Sequence, residues 1–255
     1  PQQKAEGLSG LMRDGRVVLS RRLGMLADMV TRGSRVVDVG CDHGFLSIYL
    51  VQQGISPRVL AMDVRKGPLA AAAQHIAECG LGEYIETRLS DGLYEYRLGE
   101  ADTLVCAGMG GRLMARIVSE SMEKAEALGE LILQPQSELR VFREFLRTNG
   151  FRVVAEDAVY EEGKYYFSMR AVPDRKVAAT GQYTTEEQRL FDEYGELLLR
   201  EKHPVLQQYL LFRKKVMSEL AEKLAQEETG RTEKRLAEIK AELSGIGNAL
   251  QWFQD

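Results

Sequence analysis

Short apolar runs alternate with amphipathic stretches from about residue 33 to residue 172. The apolar runs are 35–39, 58–63, 84–89, 102–108 and 130–134. Segments with helical spacing lie between them, at 45–53, 67–79, 111–126 and 137–148. Buried strands of four to six apolar residues, joined by helical crossovers, are typical of parallel βαβ units. The pattern therefore predicts an α/β fold with a doubly wound sheet.

The pattern changes at both ends of this region. Residues 151–172 form two longer β-branched and aromatic stretches joined at Glu162-Gly163, which predicts an antiparallel strand pair that completes a seven-stranded sheet. Upstream, segment 8–32 carries Leu19 and Leu23 at helical spacing, continued by Leu26 and Val30. This spacing predicts an N-terminal helical segment.

A second domain is predicted at the C-terminal end. The periodicity lapses at 173–183, and a short helix at 186–200 and two long helical patterns follow. The last pattern steps by three and four residues, as in a coiled coil, through Leu236, Ile239, Leu243, Ile246 and Leu250. We predict a Rossmann-like domain at 1–175 and a helical coiled-coil arm at 182–255.

Composition narrows the class of protein. The 255 residues are 44% hydrophobic and 28% charged, which excludes an intrinsically disordered chain. The net charge of −4 argues against a nucleic-acid partner, but its distribution changes that inference. Residues 1–34 hold six basic against three acidic residues, whereas 181–255 hold 11 against 14. A local basic patch for phosphates is therefore possible, and a solvated helix face is the alternative.

Cysteine usage and hydropathy indicate the compartment. Cys41, Cys79 and Cys106 form no C-x-x-C pair and have no His at zinc-ligand spacing, so reduced cysteines and no metal are expected. Cys41 and Cys106 lie in or beside apolar runs and are expected to be buried. No apolar stretch reaches the roughly 18 residues that span a bilayer, and the first ten residues lack a signal-peptide core. We expect a cytoplasmic protein without a membrane partner.

The first strand runs into a glycine loop that opens a helix. Asp38 and Asp42 accompany Gly40 and Gly44 in this loop, and Asp63 follows Gly44 by 19 residues. Dinucleotide loops use three glycines for a pyrophosphate, which these two carboxylates would repel. The carboxylates favour S-adenosylmethionine, which carries ammonium and sulfonium charges, while the later carboxylate suits ribose hydroxyls. A purely structural turn is the alternative.

Two further loops follow strands of the same sheet. Ser90-Asp91-Gly92 comes after the third run, where a polar side chain can meet an adenine amino group. Residues 107–111, AGMGG, come after the fourth run, where methyl donor and acceptor would meet. Their glycines leave room for a planar base, or they serve only tight turns.

Together these motifs resemble class I S-adenosylmethionine-dependent methyltransferases. More narrowly, the chain resembles the bacterial tRNA (adenine-22-N1)-methyltransferase family, known as TrmK. The matching stretches are 20–23, 38–50, 91–92, 107–111, 133–135 and 164–166, followed by the helical arm. Asp42 stands where the broad methyltransferase pattern has a glycine, and the narrower family has this acidic residue followed by His.

The resemblance implies methyl transfer from S-adenosylmethionine to N1 of adenine 22 in the tRNA D-arm, with S-adenosylhomocysteine as product. Expected cofactor-binding residues are Asp38, Gly40, Cys41, Asp42, His43, Gly44, Asp63, Val64, Ser90, Asp91, Gly92, Ala107, Gly108 and Met109. Expected catalytic residues are His43, Met109, Gly110 and Tyr166, with Gln134 and Tyr165 as further candidates to bracket the base. Expected RNA contacts are Arg13, Arg16, Arg22 and Lys164.

Alternatives exist at both levels. His43 can instead serve only the loop's own structure, and the two tyrosines can be core residues. The whole protein can be a class I methyltransferase for another RNA, a protein or a small molecule, or a non-catalytic cofactor-binding module whose arm docks a partner. A monomer is expected, and the tRNA isoacceptors stay open.

Overall fold

The computed structural model describes residues 10–13, 15–174, 183–226 and 230–254, without the side chains of residues 11, 13, 230 and 231. The chain divides into two compact units, Pro1–Thr180 and Gly181–Asp255. The strands of the first unit are β1 (Gly10–Arg13), β2 (Arg16–Leu19), β3 (Val36–Val39), β4 (Val59–Asp63), β5 (Ile85–Leu89), β6 (Thr103–Met109), β7 (Glu130–Pro135), β8 (Phe151–Glu161) and β9 (Lys164–Pro173). Its helices are α1 (Arg21–Met29), α2 (Phe45–Gln52), α3 (Lys66–Glu78), α4 (Gly111–Glu120), α5 (Met122–Ala127) and α6 (Leu139–Thr148).

Seven strands form one sheet in the order β5-β4-β3-β6-β7-β9-β8. Strands β3 to β7 are parallel, and β9 and β8 complete the sheet antiparallel. Glu162 and Gly163, both with positive φ, make the turn between β8 and β9. The predicted seven-stranded α/β fold is confirmed. The chain order reverses between β3 and β6, so their carboxyl ends flank the crevice where such sheets bind ligands.

Both faces of the sheet are buried. Along β3, Val37 and Val39 belong to one buried cluster, while Val36 belongs to the cluster on the opposite face. The same division separates Leu104 from Val105 in β6. Burial on both faces explains why these strands read as continuous apolar runs rather than alternating ones.

The prediction of a helical segment across residues 8–32 is wrong for its first half. Gly10–Arg13 and Arg16–Leu19 pair as the antiparallel strands β1 and β2, and α1 begins only at Arg21. Gly15 adopts φ +73° between the strands, and β2 contains the β-branched pair Val17 and Val18, which favours a strand. Ser20 accepts a hydrogen bond from the Leu23 backbone N–H at 3.3 Å, so it caps the helix at that point.

Helix α6 is joined to β8 by a buried ion pair. Arg143 Nε donates to Glu156 Oε1 at 2.9 Å, and the two side chains are 5% and 1% exposed. A charge at this depth is tolerated because its partner is in place. The pair therefore fixes α6 on the antiparallel end of the sheet.

The second unit is helical. It contains α7 (Thr185–Tyr194), α8 (Glu196–Arg200), α9 (Pro204–Leu224) and α10 (Gly230–Gln251). The buried side chains of the long helices are Leu206, Leu210 and Met217 in α9 and Ile239, Ile246 and Ala249 in α10. Arg213 of α9 forms an ion pair with Glu242 of α10. None of the described helices is long and apolar enough to cross a membrane.

Candidate active site

A pocket of about 660 Å³ lies at the carboxyl ends of β3, β4 and β6. Every predicted cofactor-binding residue lines it except Gly44. Gly44 has φ +75°, and a Cβ there would lie 3.0 Å from Ala72 Cβ of α3. Its role is therefore the close approach of the loop to α3, rather than ligand contact.

Gly40 leaves space for a side chain from the opposite wall. It has φ +80°, and a Cβ on it would lie 2.2 Å from Cε of Met109. The Gly40 and Cys41 backbone N–H groups donate to Met62 O at 2.8 and 2.9 Å, which fixes the loop on β4. The glycine thus places Met109 against the loop that follows β3.

Asp38 is a buried carboxyl at the floor of the pocket. It is 4% exposed, and Ser47 Oγ donates to its Oδ2 at 2.7 Å. Burial raises the pKa of Asp38 to about 6, the hydrogen bond from Ser47 opposes this shift, and the negative charges of Asp63 and Asp42 add to it. The site therefore holds a carboxylate that a cationic ligand would stabilise.

The raised pKa of Asp38 predicts a pH-dependent stability. The carboxyl binds its proton more tightly in the folded than in the unfolded chain, so its contribution to stability is present at low pH and lost as the pH rises through about 6. The free energy of unfolding of the wild type, measured against Asp38→Asn, should fall by about 3 kcal/mol between pH 3.5 and pH 7.5. Denaturant titrations at several pH values measure this difference. A difference that is constant with pH contradicts the prediction.

Asp63 ends β4 and is 3% exposed. Its carboxylate accepts the backbone N–H of Asp42 at 3.2 Å and that of Arg65 at 2.8 Å. The Arg65 guanidinium lies 3.5 Å from Asp63 Oδ1 and 3.6 Å from Asp42 Oδ1. Each carboxylate oxygen has two lone pairs, so Asp63 can still accept ligand hydroxyls.

The loop after β5 separates the roles of its two polar residues. Ser90 Oγ donates to Gly92 O at 2.9 Å and accepts the Glu95 backbone N–H at 3.1 Å, so its hydroxyl holds the loop together. Asp91 is exposed, and its Oδ1 accepts from Arg116 Nη2 at 3.1 Å. Asp91 therefore presents the negative charge of this loop at the pocket lining.

The carboxyl end of β6 forms another wall of the pocket, and it contains a β-bulge. The register of β6 against β7 shifts between Ala107 and Met109, and Gly108 between them has φ +77°. A Cβ on Gly108 would lie 3.7 Å from both Arg22 Nη1 and Gln136 Nε2. Because Gly108 has no side chain, a space remains beside it between the Arg22 guanidinium and the Gln136 amide.

Gly110, a predicted catalytic residue, is not among the residues lining this pocket. It lies at the N-cap of α4, and a Cβ on it would lie 3.1 Å from Ser137 Oγ. The structure therefore gives it a packing position beside the loop that follows β7.

Arg22 lines the pocket and contacts residues of β7 and β9. Its Nη1 donates to Gln134 Oε1 at 3.1 Å, and its guanidinium carbon lies 5.5 Å from the centre of the Tyr166 ring. Glu161 holds the start of α1, since its carboxylate accepts the backbone N–H groups of Arg21 and Arg22 at 2.6 and 3.1 Å. Gln134 is fully buried, and neither it nor Tyr166 lines the pocket. Both support Arg22, which does line it.

The other predicted residues lie around this pocket. His43 lines it, with Nε2 3.8 Å from Asp42 Oδ1. Arg16 in β2 and Lys164 at the start of β9 are exposed and are not pocket-lining residues. The Arg13 side chain lies outside the described part of the chain. The lining also contains residues that the motifs did not indicate, notably Arg65, Arg116 and Gln136.

A metal has no evident place in this arrangement. Among the described residues, no group of His, Cys, Asp or Glu side chains is arranged to hold a metal ion.

The comparisons with known proteins agree on the family. A family model for a methyltransferase domain matches residues 19–169. The tRNA (adenine(22)-N(1))-methyltransferase of Bacillus subtilis is 34% identical over 164 residues, which cover 64% of this chain and 69% of that protein. This chain belongs to the tRNA (adenine-22-N1)-methyltransferase family. The resemblance found in the sequence motifs is thereby confirmed.

Solved structures of family members share the fold. The crystal structure of Bacillus subtilis TrmK, at 28% identity, aligns with a TM-score of 0.77 over 91% of this chain and 99% of that one. The Streptococcus pneumoniae protein Sp1610, in complex with S-adenosyl-L-methionine, aligns with a TM-score of 0.76 at 29% identity, over 91% and 100%. The alignments span both units of this family member.

Proposed function

We propose that this protein transfers the methyl group of S-adenosylmethionine to N1 of adenine 22 in the D-arm of bacterial tRNA. The observation that carries the proposal is one pocket that joins the acidic loop after β3 to the glycine bulge of β6. Membership of the family indicates that adenine 22 of tRNA is the acceptor of the methyl group. We further propose that the protein acts in the cytoplasm, where bacterial tRNA is found. We propose a monomer, because the described residues of one chain are sufficient to line this pocket.

The residues present fit S-adenosylmethionine. The carboxylates of Asp38 and Asp42 suit an ammonium group, and Asp63 can accept the two ribose hydroxyls. Asp91, in the loop after β5, lines the pocket and could accept a hydrogen bond from an adenine amino group. When bound, the cofactor supplies a methyl group attached to a positively charged sulfur.

Transfer to N1 needs alignment more than proton removal. Neutral adenine has an in-plane lone pair on N1, so no residue has to take a proton before the new C–N bond forms. Residues that hold the base in line with the methyl group would lower the barrier. N1 lies on the pairing edge, so the nucleotide has to leave its base pair first.

Labelled S-adenosylmethionine with an unmodified tRNA transcript tests this function. We expect label in the RNA, recovered as N1-methyladenosine at position 22, and none in a matched transcript with guanine at that position. Label in protein or in another nucleoside contradicts the proposal that adenine 22 is the acceptor. Cofactor binding without any methyl transfer contradicts the proposed methyltransferase activity and favours a non-catalytic cofactor-binding module.

Arg16 and Lys164 are proposed phosphate contacts. Their double replacement by Ala should raise KM for tRNA several-fold, because each contact to a phosphate releases about one counterion. The slope of log affinity against log salt should also become shallower by between one and two. The matched control is Arg58→Ala, since Arg58 is exposed and precedes β4, at the sheet edge opposite the pocket. Equal salt slopes for wild type and double variant contradict the assignment.

A further inference from the structure

The loop after β7 lies directly on the glycine loop after β6. The Gln136 backbone N–H donates to Met109 O at 2.8 Å, and the Gly111 N–H donates to Ser137 O at 3.0 Å. A Cβ on Gly111 would lie 2.8 Å from Ser137 O, so no larger residue fits without displacement. These contacts fix the backbone of Gln136 beside the proposed point of methyl transfer.

The Gln136 side chain points its amide toward the opening at Gly108. Its Nε2 lies 3.7 Å from the position of a Cβ on Gly108, the same distance as Arg22 Nη1. Gln136 is exposed, and its amide has no hydrogen-bond partner among the described residues. It is also the one carboxamide among the described residues that line this pocket.

An enzyme that methylates N1 cannot use N1 for recognition. Adenine then offers its other edge, where the N6 amino group donates and N7 accepts. A glutamine amide is complementary to this pair, because its oxygen accepts from N6 and its NH₂ donates to N7. Guanine presents two acceptors on the same edge, so the amide would leave one unmatched.

We propose that Gln136 is the residue that selects adenine, through paired hydrogen bonds to N6 and N7. This inference rests on the proposed function. Gln134 does not take this role, since it is fully buried and its Oε1 accepts from Arg22. The bond from N6 strengthens as the ring becomes positively charged, so Gln136 acts on kcat as well as on KM.

The test combines variants of Gln136 with tRNA that carries 7-deazaadenine at position 22. In that base, N7 is replaced by C–H, while N1 and N6 are retained. The wild type should lose roughly tenfold in kcat/KM on the 7-deaza substrate, as expected for one lost hydrogen bond in the pocket. On ordinary tRNA, Gln136→Ala should have a kcat/KM at least tenfold below that of the wild type. This variant should have the same kcat/KM on the 7-deaza substrate as on ordinary tRNA.

Gln136→Glu should invert the preference. Its second oxygen would face N7, so this variant should work faster on the 7-deaza substrate than on ordinary tRNA. A merely structural role for residue 136 changes both rates together and leaves their ratio at the wild-type value. Gln53→Ala is the matched control, since Gln53 is exposed at the end of α2 outside the pocket lining.

The outcomes separate the two proposals. Two results overturn only the role of Gln136. In the first, the wild type is active and Gln136→Ala is equally active. In the second, the ratio of kcat/KM on the two substrates is the same for the wild type and all variants. No methyl transfer to the transcript by the wild type overturns the proposed function and this inference with it. S-adenosylmethionine affinity equal to the wild type in each variant shows that the pocket has folded.

Discussion

Replacing Asp63 with Asn is expected to weaken S-adenosylmethionine binding by roughly 100-fold. Two hydrogen bonds from ribose hydroxyls to a carboxylate contribute about 3 kcal/mol, and a neutral amide retains little of this. The amide also places an NH₂ group against a backbone N–H, because Asp63 already accepts from Asp42 and Arg65. Calorimetric titration with S-adenosylmethionine and S-adenosylhomocysteine measures the loss.

The expected loss at Asp63 has a matched control. Asp28→Asn makes the same chemical change on the exposed side of α1, away from the residues that line the pocket, and should leave affinity unchanged. Circular dichroism of both variants checks that the fold is retained. A folded Asp63→Asn protein whose affinity stays within threefold of the wild type contradicts ribose binding by Asp63.

Replacing Glu156 with Ala should lower the free energy of unfolding of the first unit by about 3–5 kcal/mol. The change removes the Glu156 carboxylate from the buried guanidinium of Arg143, and the desolvation cost of that charge is then less fully offset. For a unit of this size the unfolding midpoint should fall by roughly 10 °C. Scanning calorimetry measures the shift.

Two variants show whether the loss of this charge pairing is the cause. The double variant Arg143→Met/Glu156→Met removes both charges and should recover most of the lost stability. Arg152→Met breaks the more exposed ion pair with Asp174, 2.9 Å long, and should cost about 0–1 kcal/mol. A double variant as unstable as Glu156→Ala would attribute the loss to packing.

The sheet was predictable because its strands are buried on both faces. Residues 59–62 are consecutive apolar residues, and they form most of β4 (Val59–Asp63), which lies between two parallel neighbours. The hairpin of β1 and β2 was not predictable in the same way. Its strands have four residues each, and Leu19 and Leu23 span the boundary between β2 and α1 with helical spacing.

The cofactor side of the site was predictable because each wall is one loop after one strand. The side of the pocket around Arg22 was not predictable, because it depends on contacts between distant segments. Nothing in the local sequence distinguishes Arg65 or Arg116 from an ordinary surface arginine. Gln134 and Gln136 stand two residues apart, but β7 ends at Pro135, so only the second side chain leaves the sheet and reaches the pocket.

The position of Arg22 has a consequence for biosynthesis. Its partners Gln134 and Glu161 lie 112 and 139 residues further along the chain, and Tyr166 follows later still. Segment 38–109, in contrast, contains the whole acidic side of the pocket. The acidic side of the pocket is therefore synthesised first as the chain emerges from the ribosome. The side around Arg22, which we expect to contact RNA, is assembled only after β9 has been synthesised, so it cannot form before the sheet is complete.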